Sequence, residues 1–261
     1  DELNSERFNS IHALNRAQLL DDSFNLAQFG YLDFSTALNL LKYLRNETEL
    51  IPLTAGFKAI EFLIENLDQQ DFFADLRDIL LSIVDEIYVR VNNATPETED
   101  EDYHVLLKLH VNLFACKVGA KSCLKDASSK LFLFDFQFNE VDVDERPFLY
   151  CGVLGGNLAS LTWIQLKMKI YRANENQQLY RDSQEEFSEI FHAFSVCDSD
   201  LSRVERLLND IFNYDNETLS FKEVTKEDAL QVVRNLIKTS SSHRDLIMKF
   251  YLENLEAANE K

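Results

Sequence analysis

Apolar side chains recur at helical spacing through nearly the whole chain, and very little interrupts them. Only 6 Gly and 3 Pro are spread over 261 residues, of which 46% are hydrophobic. Such a sequence has ample material for a core and few places where a helix must stop. Leu19, Leu20, Phe24 and Ala27 mark one face of a first helix that ends at Gly30. Ala37, Leu38, Leu41 and Leu44 form a second stripe, with Ser35 as its expected cap. Pro52 suits the first turn of a third helix carrying Ala55, Ala59, Phe62 and Leu63. A long fourth, over 71–91, turns Phe72, Leu76, Leu80, Ile83 and Ile87 inward.

The same period predicts helices over 102–118, 121–134, 145–155, 157–172, 183–196, 199–213, 225–238 and 241–257, with Pro147 in a first turn and Gly155-Gly156 at its helix end. The stretch 131–138 alternates like a strand at its end and is read as a helix running into an extended apolar loop. About twelve helices with short connections make antiparallel neighbours, and such pairs stack into a curved, HEAT/armadillo-like superhelix. No fixed repeat period is present, so helix density alone carries that expectation. The expected fold is all-α, one helical domain over 1–261.

Charge narrows the partners. The chain holds 45 acidic and 26 basic residues, a net charge of −19. Phosphate backbones are bound by clustered Lys and Arg, so no nucleic acid is expected, and an anionic membrane surface is disfavoured. The dense acidic run Glu97-Thr98-Glu99-Asp100-Glu101-Asp102 reads as a solvated inter-helix loop, since it lacks the glycine-pivoted spacing of a calcium loop. No apolar run approaches the roughly 18 residues that span a bilayer. The chain opens at Asp1 inside a polar segment without a signal sequence, as a processed or excised piece would.

A search for catalytic chemistry ends empty. The histidines are His12, His104, His110, His192 and His243; none belongs to H-E-x-x-H, and none pairs at i, i+4 to hold a metal. There is no G-x-S-x-G, P-loop or dinucleotide fingerprint. Asp21 and Asp22, downstream of Arg16, are read as a structural ion pair with it rather than as acid–base groups. Catalytic residues, metal ligands and cofactors are thus expected to be none in this chain, which by its own residues is not an enzyme.

Four cysteines, Cys116, Cys123, Cys151 and Cys197, accompany three N-x-[ST] sequons at Asn46, Asn93 and Asn216. Each sequon falls at a predicted turn, where a glycan could be carried without being buried. Together they favour a secreted or lumenal compartment. On one unbroken helix Cys116 and Cys123 would lie ~10.5 Å apart, beyond the ~4.4–6.8 Å a disulfide tolerates. They can bond only if the chain turns at Gly119, so a helix should end there and another start near Lys121. The alternative is two buried free thiols in a cytosolic protein.

Four ordered segments carry a resemblance. They are Asn15-Arg16-Ala17-Gln18 through Asp22-x-Phe24-x-Leu26-Ala27; Tyr43-Leu44-x-x-Glu47-Thr48-Glu49-Leu50-Ile51-Pro52; Ala115-Cys116-x-x-Gly119 with Cys123; and Arg146-x-x-Leu149-Tyr150-Cys151 with Gly155-Gly156 and Trp163, followed by Ala193-Phe194-Ser195-Val196-Cys197. The chain resembles the C-terminal helical domain of aminopeptidase N-type zinc aminopeptidases, which include the endoplasmic reticulum aminopeptidases. It differs in having Leu53 where that family has Trp, a polar insertion over 174–186, and an end at Lys261 before the family's last helices.

The resemblance implies two disulfides, Cys116–Cys123 and Cys151–Cys197. It implies a bowl of paired helices that encloses the substrate cavity, holds the far end of a peptide substrate and closes over a separate upstream catalytic domain. Zinc and its ligands would belong to that missing domain. It leaves room for a homodimer, and for a secreted or membrane-anchored parent. The competing expectation is a catalytically inert, secreted helical interaction or receptor module. Which residues touch substrate is left unassigned.

Overall fold

The structure is a computed structural model that describes residues 2–5, 7–94, 101–133, 142–156, 184–212 and 226–259. These residues form helices, turns and short connections, with no strand among them. The all-α expectation holds. The predicted helix over 157–172, Trp163, most of the insertion over 174–186 and the strand-like end of 131–138 lie outside the described residues.

Helix α1 (Ala13–Gln28) starts where the His12 ring accepts the Leu14 N–H at 3.3 Å. It ends at Gly30, whose φ of 75° is the left-handed conformation that allows Tyr31 N–H to reach back to Leu26 O at 2.8 Å. Its inward stripe is Arg16, Ala17, Leu20, Ser23, Phe24 and Ala27. Leu19 departs from the expected face and is 45% exposed, because it sits about 100° around the helix from Leu20.

Helix α2 (Phe34–Leu41) is capped by Asp33 rather than by Ser35. The Asp33 carboxylate accepts the Ser35 N–H at 2.7 Å, and its hydrogen bonds with Ser35 hold it below the usual carboxylate range. Both residue types cap well, and Asp33 is the one with extended backbone just ahead of the helix. A 3₁₀ turn over Lys42–Asn46 follows.

Helix α3 (Leu50–Leu67) carries Pro52 in its first turn and buries Leu53, Phe57, Ala59, Ile60 and Leu63. A side chain at Gly56 would lie 2.3 Å from Leu44 Cδ1, so only glycine lets α3 sit this close to the 3₁₀ turn. Helix α4 (Phe73–Asn93) buries Leu80, Ile83, Val84, Ile87 and Val91. Phe72 precedes it and is 54% exposed, contrary to the inward expectation. Helix α5 (Glu101–Val118) begins with Glu101 and Asp102, exposed in the first turn where carboxylates complement the helix dipole.

The chain forms two compact units, Asp1–Ser122 and Cys123–Lys261. In the first, α1 packs on α2 and α3, α4 packs on α5, and α3 touches both α4 and α5. The second holds most of α6 (Lys121–Leu133), then α7 (Arg146–Gly155), α8 (Gln184–Val196), α9 (Leu201–Phe212), α10 (Lys226–Thr239) and α11 (Ser241–Asn259). There α8 packs on α7 and α10, and α11 packs on α9 and α10. In both units a helix rests on the next but one (α1 on α3, α8 on α10, α9 on α11), the packing that stacked helix pairs produce.

Candidate functional site

Arg16 does not pair with Asp21 or Asp22. Five or six residues along a helix turn a side chain about 140–240° away, so both aspartates face solvent while Arg16 faces the core. Asp21 accepts from Asn25 Nδ2 at 3.1 Å instead. The partner of Arg16 is Glu47, from the connection leading into α3. Arg16 Nε reaches Glu47 Oε2 at 2.7 Å and Nη2 reaches Oε1 at 2.9 Å, a bidentate pair. Glu47 is 0% and Arg16 3% exposed. The hydrogen bond to Glu47 raises the Arg16 pKa against the opposing effect of burial.

Glu47 organises more than one arginine. Its Oε1 accepts the N–H groups of Thr48 and Glu49 at 2.9 and 3.0 Å, and its carbonyl accepts from Arg90 of α4. Burial depresses the Arg90 pKa. Tyr43, buried beside the pair, has its hydroxyl pushed to a higher pKa by burial first and by the Glu47 carboxylate second. Just outside, Tyr103 of α5 accepts from Leu50 N–H and donates to Glu49, at 2.8 and 2.9 Å. This cluster joins α1, α3, α4 and α5 within the first unit, with Arg16, Tyr43 and Glu47 buried at its centre. It is a structural hub.

The histidines are scattered. His12 caps α1, and His104 is half-buried on α5. His110 stacks on Phe57 with ring centroids 5.7 Å apart and lies 3.2 Å from Thr54 Oγ1, and burial lowers its pKa. His243, buried, lies 2.8 Å from Ser240 Oγ and 3.2 Å from the Asp198 carbonyl. The Asp198 carboxylate takes Arg203 Nε and Nη2 at 2.8 and 2.7 Å, tying the α8–α9 turn together. Among the described residues no group of three or more His, Cys, Asp or Glu is placed to hold a metal ion.

A concave site lies in the second unit. A pocket of about 320 Å³ is lined by Pro147 of α7, Ser188, Glu189, Phe191 and His192 of α8, and Gln231, Val232 and Asn235 of α10. Residues 188, 189 and 192 share a face of α8, as 231, 232 and 235 do on α10, so the helix period brings them together. Gln231 Nε2 donates to Asn235 Oδ1 at 2.9 Å, and Asn235 Nδ2 donates to Ser195 Oγ at 3.0 Å and meets His192 Nδ1 at 3.1 Å. The sequence gives His192 no site, because its partner Asn235 comes from a helix some forty residues later.

Cys151 is bonded to Cys197 with Cα atoms 5.0 Å apart, linking α7 to the end of α8. Cys116 and Cys123 are the remaining bonded cysteines, and none is free. Helix α5 stops at Val118, Gly119 has φ 89°, and α6 starts at Lys121, as the corner requires. Asn46 and Thr48 are exposed on either side of buried Glu47. Asn93 is exposed in the last turn of α4, and Asn216 lies outside the described residues. Among the described residues no helix is long and apolar enough to cross a membrane.

Comparison with known proteins covers the same span. Aminopeptidase N of Plutella xylostella is 29% identical over 248 residues, 94% of this chain and 24% of that protein. The thyrotropin-releasing hormone-degrading ectoenzyme of Homo sapiens is 26% identical over 252 residues, 94% of this chain and 22% of that protein. Glutamyl aminopeptidase of Homo sapiens is 34% identical over 187 residues, 68% of this chain and 18% of that protein. The chain thus spans about a quarter of the length of the curated relatives it matches. Residues 1–261 match the profile of the ERAP1-like C-terminal domain throughout, and the chain belongs to that family.

Proposed function

We propose that this chain is the C-terminal domain of a zinc metallo-aminopeptidase, an enzyme that removes N-terminal residues from peptides. Its role there is to enclose the substrate cavity and close over an upstream catalytic domain. The observation that carries the reading is the family match over residues 1–261, joined to relatives named as aminopeptidases that are about four times longer. The described residues offer no metal site, so zinc and the bond-breaking groups are assigned to the rest of the polypeptide. This chain contributes stacked helix pairs, packed into two compact units, that can be carried when a cavity opens or closes.

The disulfides, the exposed Asn46 and Asn93, and a relative named as an ectoenzyme support an extracellular or lumenal setting with glycans at the sequons. Comparing the parent polypeptide with a version cut at Asp1 tests the enclosing role. Loss of activity on peptides of five or more residues, with a single-residue aminoacyl substrate still cleaved, is expected. Equal loss of both, or of neither, would sink it. The isolated chain is expected to bind no stoichiometric zinc and to hydrolyse neither.

A further inference from the structure

We infer that the corner between α1 and α2 is a docking face for the upstream part of the same polypeptide, which seats Phe29 and Tyr31 in an apolar recess. This rests on the reading of the chain as the C-terminal domain of a longer protein. Four large apolar side chains stand in the open at this corner: Leu26, Phe29, Tyr31 and Phe34 are 46%, 77%, 81% and 39% exposed. Among the described residues no other large apolar side chain is as exposed as the rings of Phe29 and Tyr31.

The backbone holds these rings in place. Gly30, with φ 75°, turns the chain so that the N–H groups of Tyr31 and Leu32 both reach Leu26 O, at 2.8 and 3.3 Å. Asp33 then caps α2 by accepting the Ser35 N–H at 2.7 Å. The rings are thus carried on a segment pinned on both sides, which limits the ordering cost of docking. Charge is scarce around them. Asp33 is the only charged residue from Asn25 to Asn39, in a chain that is 27% charged, and its carboxylate is engaged in the cap. Aromatic rings amid few charges are the composition of an interface core rather than of a surface that stays wet.

The course of the first residues says what covers the corner. Asn4 Nδ2 donates to Asn39 O at 3.4 Å, and Phe8 packs on Tyr43 with ring centroids 6.2 Å apart, so the start of the chain runs beside α2 and the 3₁₀ turn after it. Phe34 and Asn39 are separated by about 7.5 Å along the axis of α2. The match takes up 24% of the Plutella xylostella relative, and the family is by its description a C-terminal domain, so most of such a protein precedes residue 1. That mass is tethered beside the patch, where a contact is intramolecular and needs little affinity of its own. A second copy would have to reach the same corner from solution against the repulsion between two chains of net charge −19.

The test is hydroxyl-radical footprinting of the parent polypeptide, comparing side chains of one type so that intrinsic reactivity cancels. From exposure in this chain, Phe29 would label faster than Phe72, which is 54% exposed, and Tyr31 faster than Tyr251, which is 58% exposed. Docking is expected to reverse both orders, with Phe29 and Tyr31 roughly fivefold slower than their counterparts and unchanged on dilution. Labelling in the order of exposure overturns the inference. Protection that vanishes on dilution also overturns it and assigns the corner to a second copy. A protease site placed before Asp1 gives a second readout, since the two nicked pieces should stay together on a sizing column. Phe29→Ser with Tyr31→Ser, both at exposed positions, should release them roughly tenfold faster, and equal release would count against the docking face. If the rings label freely while the parent keeps its dependence on peptide length, the docking face is lost and the enclosing role stands.

Discussion

Within itself, each of the two compact units is stabilised by a different device. The first is organised around a buried ion pair between residues 31 apart, one on α1 and one on the connection into α3, with Arg90 of α4 bonded to the Glu47 carbonyl. In the second, an ion pair with a buried carboxylate is local, Arg203 with Asp198 five residues earlier, and a covalent Cys151–Cys197 link spans 46 residues. The difference lies in where each device acts. A buried pair acts in the folded state, where losing one partner strands the other charge away from water. A disulfide acts mainly on the unfolded chain, by removing conformations it would otherwise explore. The first unit should thus be fragile to single substitutions at its hub, and the second to reduction.

The largest expected effect is at Glu47. Glu47→Ala strands Arg16 and removes the acceptor of the Thr48 and Glu49 N–H groups, so it should destabilise the first unit by about 3–5 kcal/mol. Chemical denaturation followed by amide exchange would show the loss confined to residues 1–122. Adding Arg16→Met to Glu47→Leu should recover part of it, since an apolar pair no longer strands a charge. A double variant as unstable as Glu47→Ala would mean that the backbone bonds, rather than the charges, hold the hub.

Replacing both Cys151 and Cys197 with Ser should cost the second unit about 4 kcal/mol on chain-entropy grounds, against about 2 kcal/mol for Cys116 and Cys123, whose loop is far shorter. Melting the two variants side by side checks the order. If the short loop mattered more, the corner at Gly119 would be the greater constraint. Gly119→Ala probes that corner without touching sulfur. With φ at 89° and Arg77 Nη2 3.2 Å from the position of an added Cβ, it should cost about 1–2 kcal/mol.

How far these devices were legible in the sequence follows from their reach along the chain. The α5–α6 corner was readable because Gly119, Cys116 and Cys123 lie within eight residues and obey helix geometry. The helix spans were readable because their period is local. The Arg16 pairing was misread, since a buried cation takes whichever carboxylate the fold delivers, and Glu47 comes from another element. Glu47 stood within a quoted motif, but nothing in its local sequence distinguished it from Glu49, which is exposed. The pocket was invisible for the same reason, since α8 and α10 meet only once the chain has folded. Leu19 and Phe72 were assigned inward because hydrophobicity gives a stripe and not its edges.

The smallest effect separates the units by pH rather than by substitution alone. His110, half-buried against Phe57 in the first unit, has its pKa lowered by burial. Between that lowered value and the unfolded value of about 6.5, the unfolded chain holds more protons than the folded one. The contribution of His110 is therefore complete above about pH 6.5 and is lost as pH falls through the folded value. Denaturant midpoints of the unaltered chain and of His110→Gln, compared at pH 7.5, 6.0 and 5.0, isolate this group because every other titration is common to both. The gap between the two should narrow on acidification, and only for probes in residues 1–122. A gap that is constant with pH would mean that the ring packs on Phe57 equally well with a second proton, and that the first unit's sensitivity resides in the Arg16–Glu47 hub alone.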